Sequence, residues 1–101
     1  MKLLILFQDN PDIDPNIRTI HMKSHLEFLC SHSNVVLAAG PVHKIDGCPN
    51  GGLWLVEVDT IAEAEALVRA DPFWPTGLRK SYEFRKWTQV FADGEPKILP
   101  E

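Results

Sequence analysis

The chain has 101 residues, a formal net charge of −4 and two cysteines. Such a length holds one domain with a modest core, and the acidic balance, with a pI near 5.5, argues against a nucleic-acid partner. Cys30 and Cys48 match no metal or redox spacing and make a poor disulfide framework, so the default expectation is a reduced, cytoplasmic protein.

The apolar run Leu3–Phe7 reads as a first strand, too short for a signal peptide or a membrane span. Asp14–Pro15 then starts a helix, with the aspartate at the N-cap and the proline where its missing N–H is harmless. That helix is expected to reach Ser31–Asn34. Val35 to Ala39 forms a second strand stopped by Gly40–Pro41, and His43 to Gly52 supplies turn material. Leu53 to Val58 is the third strand, completing a long hairpin.

Thr60 and Glu63 make a capping box ahead of an Ala- and Leu-rich helix ending at Ala70. Asp71–Pro72 repeats the earlier Asp–Pro signature and caps a short turn through Phe73 and Trp74. Ser81 to about Phe91 is the last strand, with Tyr82 and Phe84 alternating against Glu83 and Arg85. The basic doublets Arg79–Lys80 and Arg85–Lys86 lie in or beside it and form no continuous stripe. The tail from Asp93 to Glu101 reads as irregular or as a swapped arm. One domain is expected over residues 1–101, its core spanning about 2–91.

The order β-α-β-β-α-β predicts an α+β, ferredoxin-like fold: an antiparallel sheet with both helices on one face. A lone copy requires the other face to be polar. Instead, Leu3, Ile5 and Phe7 point one way while Leu4 and Leu6 point the other. Trp54, Val56 and Val58 are likewise set against Leu53 and Leu55. An apolar face this large calls for a cover, and a second copy supplies one, giving a dimeric α+β barrel.

Projected at about 100° per residue, the first helix has an apolar arc of Met22, Leu26, Phe28 and Leu29. His25 falls inside it, with Arg18 two turns earlier on nearly the same line. A cation and an imidazole on a buried face need a partner or a wet pocket. A hydrogen-bonded core histidine, with Arg18 reaching solvent by its stem, satisfies the same pattern. The carboxylate of Asp71 is an N-cap on local grounds alone, and that role is compatible with orienting an imidazole. His21 and His25 stand four apart without the glutamate of a zinc-protease motif or a third ligand, so no metal site is expected. Trp54, Trp74 and Trp87 fit core or interface positions.

Over about residues 2–91 the sequence resembles the YCII-related (YciI-like) family. The matching pieces are "QDNPD" after the first strand, Arg18, "HLEFL" from His25, "AAGPV" at Ala38–Val42, "DGCPNGGLWLVEV", and "ADPFWPTGL" leading to the Trp87 strand. The resemblance implies a dimeric α+β barrel and a pocket where a histidine and an aspartate meet, matched by His25 and Asp71. Arg18, Gly40, Pro41 and Pro72 match the family's first arginine and its pocket-shaping residues. Two positions depart. Met22 stands where many members of this subtype have a second arginine, and Gly52 stands where they have a serine. Losing a cation and a hydroxyl suggests a different or less polar ligand.

The function the resemblance implies is cofactor-independent acid–base catalysis, of lyase, isomerase or dehydrochlorinase type, on a small cyclic or carbonyl compound. His25 is its base, Asp71 the group that orients it, and Arg18, Gly40 and Pro41 the substrate-binding residues. The alternative is a non-catalytic domain that binds a small metabolite through the same pocket. No haem or flavin fingerprint is evident.

Overall fold

The apolar run at Leu3–Phe7 becomes the centre of β1 (Lys2–Asp9) in the computed structural model, which describes residues 1–97. The remaining elements are α1 (Asn16–Ser31), β2 (Val36–His43), β3 (Pro49–Glu57), α2 (Ile61–Ala70) and β4 (Arg79–Lys86). A single 3₁₀ turn, Trp74–Thr76, precedes β4. The four strands form one antiparallel sheet in the order β2-β3-β1-β4, which is the expected ferredoxin-like α+β arrangement.

Local signals start both helices. The Asn16 amide donates to Asp14 Oδ1 at 2.9 Å and the Ile17 amide to the Asp14 carbonyl at 3.0 Å, so Asp14 caps α1. At α2 the Glu63 amide donates to Thr60 Oγ1 at 3.2 Å. The Glu63 carboxylate reaches back one residue further than a standard capping box, accepting from the Asp59 amide at 3.2 Å.

The core lies between the helices and one sheet face: Leu3, Ile5, Phe7, Trp54 and Val56 pack against Ala64, Leu67 and Val68. Helix α1 contributes His25, buried, with Phe28 and Leu29 half-buried. Leu26, placed in the apolar arc from sequence, is 51% exposed. It lies about 100° from His25 around the helix, and the buried stripe centres on His25 and Leu29.

Strands β2 and β3 are longer than the turn signals allowed. Gly40–Pro41 does not stop β2: Pro41 pairs with Gly52 and the strand continues to His43. Because β2 is at the sheet edge, a residue without an N–H can be accommodated there. The hairpin loop shrinks to residues 44–48. The last strand, expected to reach Phe91, ends at Lys86. Phe91–Ala92 and Glu95–Pro96 form a small hairpin of their own, β5 and β6. Its two central residues, Asp93 (φ 54°) and Gly94 (φ 79°), take the left-handed conformation that tight hairpins need. That replaces irregular structure over 93–96, while residues 98–101 of the expected tail lie outside the described residues.

The face of the sheet away from the helices carries Leu4, Leu6, Leu53 and Leu55, all half-buried, with Ala38 and Val42 exposed beside them. Along β4 this face turns charged, where the exposed pair Glu83 and Arg85 meet at 3.3 Å.

Candidate functional site

The second Asp–Pro start and the α1 stripe converge at one place. His25, on the inward stripe of α1, has its Nδ1 2.8 Å from Asp71 Oδ1. Asp71 sits where α2 ends, and the same Oδ1 accepts the Phe73 amide at 3.2 Å, capping the turn that follows. The two roles read from sequence, cap and imidazole partner, are both filled by one oxygen. The ring of His25 lies against Phe73 (centroids 4.5 Å apart) and near Trp54 (6.0 Å). With Nδ1 committed to the carboxylate, Nε2 has no protein hydrogen-bond partner among the described residues.

His25 lines a hollow of about 80 Å³ together with Arg18, Met22, Gly40, Pro41, Gly52 and Arg79. Of the site residues expected from sequence, Arg18, His25, Gly40 and Pro41 therefore share one concavity, and Asp71 lies behind the imidazole. Arg18 is not free to drift into solvent, because its Nη2 is paired closely with Asp9 Oδ2 at the end of β1.

Two charged residues escaped the sequence reading. Asp9, the partner of Arg18, ends β1 and looked like loop. Arg79, grouped with Lys80 as a basic doublet in or beside the last strand, is buried, and its Nη2 stands 3.7 Å from Asp71 Oδ2. The register explains the error. Counting back by twos from Tyr82 and Phe84 turns Lys80 inward. The β1–β4 pairing slips between Gln8 and Asp9, so that Asp9 pairs with Arg79 and Lys80 is skipped. A β-bulge of this kind exchanges the faces of the residues beyond it. The only signal available in the sequence was the apolar Leu78 just before it.

The Arg79 guanidinium lies over the Phe7 ring, 4.0 Å from its centroid, with Phe73 on another side at 5.5 Å. Burial pulls its pKa below the ordinary arginine value, and the nearby Asp71 and Asp9 carboxylates oppose that shift. It stays protonated at neutral pH. Its Nε and Nη1 are buried without hydrogen-bond partners among the described residues, as is Asp9 Oδ1.

Elsewhere, Cys30 and Cys48 are both free and exposed. Among the described residues, no three His, Cys, Asp or Glu side chains gather as a metal-ligand set. Among the described residues, no helix is long and apolar enough to cross a membrane.

Fold and site together define a ferredoxin-like α+β domain with a buried His–Asp pair at a small hollow. The chain belongs to the YCII-related domain family, whose model matches residues 1–88. Among solved structures, it is similar to 5-chloro-2-hydroxyhydroquinone dehydrochlorinase (TftG) from Burkholderia phenoliruptrix AC1100, in complex with 2,5-dihydroxybenzoquinone. That likeness has a TM-score of 0.74 and 23% identity, covering 87% of this chain and 94% of that one. A dimeric ferredoxin-like protein of unknown function from Bacteroides fragilis NCTC 9343 aligns with a TM-score of 0.47 and 15% identity, over 83% of this chain and 90% of that one. No curated protein matches this chain.

Proposed function

We propose that the hollow binds a small cyclic or carbonyl-bearing molecule and that His25 moves protons on it without a cofactor, as a lyase, isomerase or dehydrochlorinase does. The observation that carries this reading is the 2.8 Å contact between His25 and Asp71 at the wall of a concavity. Asp71 accepts from Nδ1–H, which leaves the Nε2 lone pair as the base and stabilises the imidazolium once it forms. Nε2 takes a proton from a carbon beside a carbonyl, and the C–H electron pair moves toward the carbonyl oxygen as an enolate. In an isomerase the imidazolium returns the proton to another carbon. In a dehydrochlorinase the electron pair forms a C=C bond, chloride leaves with the C–Cl pair, and the imidazolium releases its proton to water.

Arg18 steadies a carboxylate or enolate oxygen, and Gly40 and Pro41 shape the wall. The dehydrochlorinase that shares the fold supports chemistry of this kind, since loss of hydrogen chloride requires a base. We also take the chain as one domain over 1–101 that works in the cytoplasm as a homodimer. The half-buried Leu4, Leu6, Leu53 and Leu55 face supports a second copy as its cover.

A second reading, a binding domain without turnover, is favoured by one observation: the imidazole is 7% exposed and wedged between Phe73 and Trp54, as a structural polar pair would be. Assaying wild type, His25→Gln and Asp71→Asn on lactones, enols and chlorinated aromatics separates the two. The enzyme reading expects folded variants that bind ligand and lose turnover. A wild type inert across the panel, or a His25→Gln protein that fails to fold, removes it.

A further inference from the structure

We infer that Arg79 is the anion hook of the hollow, its unpartnered Nη1 and Nε holding a carboxylate, phenolate or enolate oxygen of a ligand that lies against His25. This rests on the reading of the hollow as a ligand site and deepens it by naming the ligand's charge.

Buried N–H groups are nearly always satisfied, and those of a cation are the most costly to leave unmade. Arg79, which lines the concavity, has two such donors with no acceptor among the described residues. Two of the neighbouring carboxylate oxygens are already engaged, and a third, Asp9 Oδ1, is itself buried with no hydrogen bond among the described residues. Asp9 Oδ2 holds Arg18, and Asp71 Oδ1 holds His25 and the Phe73 amide. Asp71 Oδ2, at 3.7 Å from Nη2, is too far for a hydrogen bond.

Rigidity also favours a binding role. One face of the guanidinium rests on Phe7, so the planar fork is held in place. Charge permits it as well: Arg18 and Arg79 balance Asp9 and Asp71, so an arriving anion meets no net repulsion while His25 is neutral.

Gly52 makes the arrangement sterically open. A Cβ there would stand 2.8 Å from Arg79 Nη1, so β3 passes the guanidinium without a side chain in its way. Met22 and Gly52, the two departures from the family pattern, thereby fit together. Met22 itself brings no charge to the hollow, and the space at Gly52 leaves room for the Arg79 guanidinium. Under this inference the ligand is anionic, which departs from the less polar ligand suggested by the sequence.

The test uses ¹⁵N-labelled full-length protein titrated with sodium benzoate and, separately, with the neutral isostere benzamide. Benzoate is expected to shift the Arg79 Nε–Hε signal and benzamide to leave it in place. Arg79→Met is expected to weaken benzoate binding about tenfold or more, with Arg79→Lys recovering part of the loss. If Arg79→Met fails to fold, the wild-type Nε–Hε titration decides by itself. Benzoate binding with an unmoved Nε–Hε signal, or benzamide binding as tightly as benzoate, removes the hook and leaves the hollow a ligand site. Binding of neither probe overturns both. The proton-transfer reading is tested separately, by turnover in His25→Gln.

Discussion

His25 Nδ1 and Asp71 Oδ1 meet at 2.8 Å although 46 positions separate them in the chain. The carboxylate is anchored on the other side by the Phe73 amide at 3.2 Å, so the pair is held by backbone as well as by packing. A carboxylate fixed this way is a poor shuttle and a good support, so under the proposed chemistry the proton transfer falls to the imidazole.

Substitutions at Asp71 should separate charge from geometry. Asp71→Asn keeps an oxygen for the Phe73 amide and for His25 but removes the charge opposite Arg79. Turnover under the proposed chemistry is expected to fall about 100-fold or more, with the fold retained. Asp71→Ala strands the amide, the imidazole and the guanidinium together, and urea unfolding should show a loss of about 3–5 kcal/mol. Equal stability of the two variants would mean that these contacts contribute little to the fold.

Gly52→Ala tests the space beside the guanidinium. The added methyl carbon meets Nη1 at 2.8 Å, so the side chain of Arg79 must shift. The protein is expected to fold with a penalty of about 1–2 kcal/mol and to lose most of its affinity for benzoate. Unchanged affinity, measured by the same titration as for wild type, would show that the guanidinium's position is immaterial.

The leucine face predicts an oligomeric state. Leu6 sits at the centre of that face, paired with Leu53 on one side and Glu83 on the other. Sedimentation is expected to show a dimer for wild type and a monomer for Leu6→Lys, since a charge placed in an apolar interface is costly to bury. A monomeric wild type would leave the face without its proposed cover.

Thr60→Ala should cost about 1 kcal/mol, the usual worth of an N-cap, by loss of the bond to the Glu63 amide. Thermal melting checks it, and an unshifted midpoint would mean the box at α2 is redundant with packing of Ala64, Leu67 and Val68.

How much of this was legible from sequence depended on whether a signal was local. Asp14–Pro15, Thr60 with Glu63, and Asp71–Pro72 acted within a few residues of where they are written, and each starts its element as expected. Turn chemistry misled at Gly40–Pro41, because an edge strand tolerates what a central strand does not. His25 on the apolar stripe was visible as an oddity, whereas its pairing with Asp71 came from family resemblance, since spacing does not reveal a long-range contact. Arg79 was hidden by the bulge opposite Gln8 and Asp9, which no alternation pattern can reveal.

That slip in pairing decides more than which way a strand faces. Had β4 kept strict alternation down to its first residue, Lys80 would turn inward and offer a mobile ammonium on a flexible stem. The skipped position instead delivers a flat, stacked fork with donors along its edge. One residue of slack in the backbone therefore selects the kind of cation at the hollow, a choice made by how β4 pairs with β1 and not by the composition of the Arg79–Lys80 doublet.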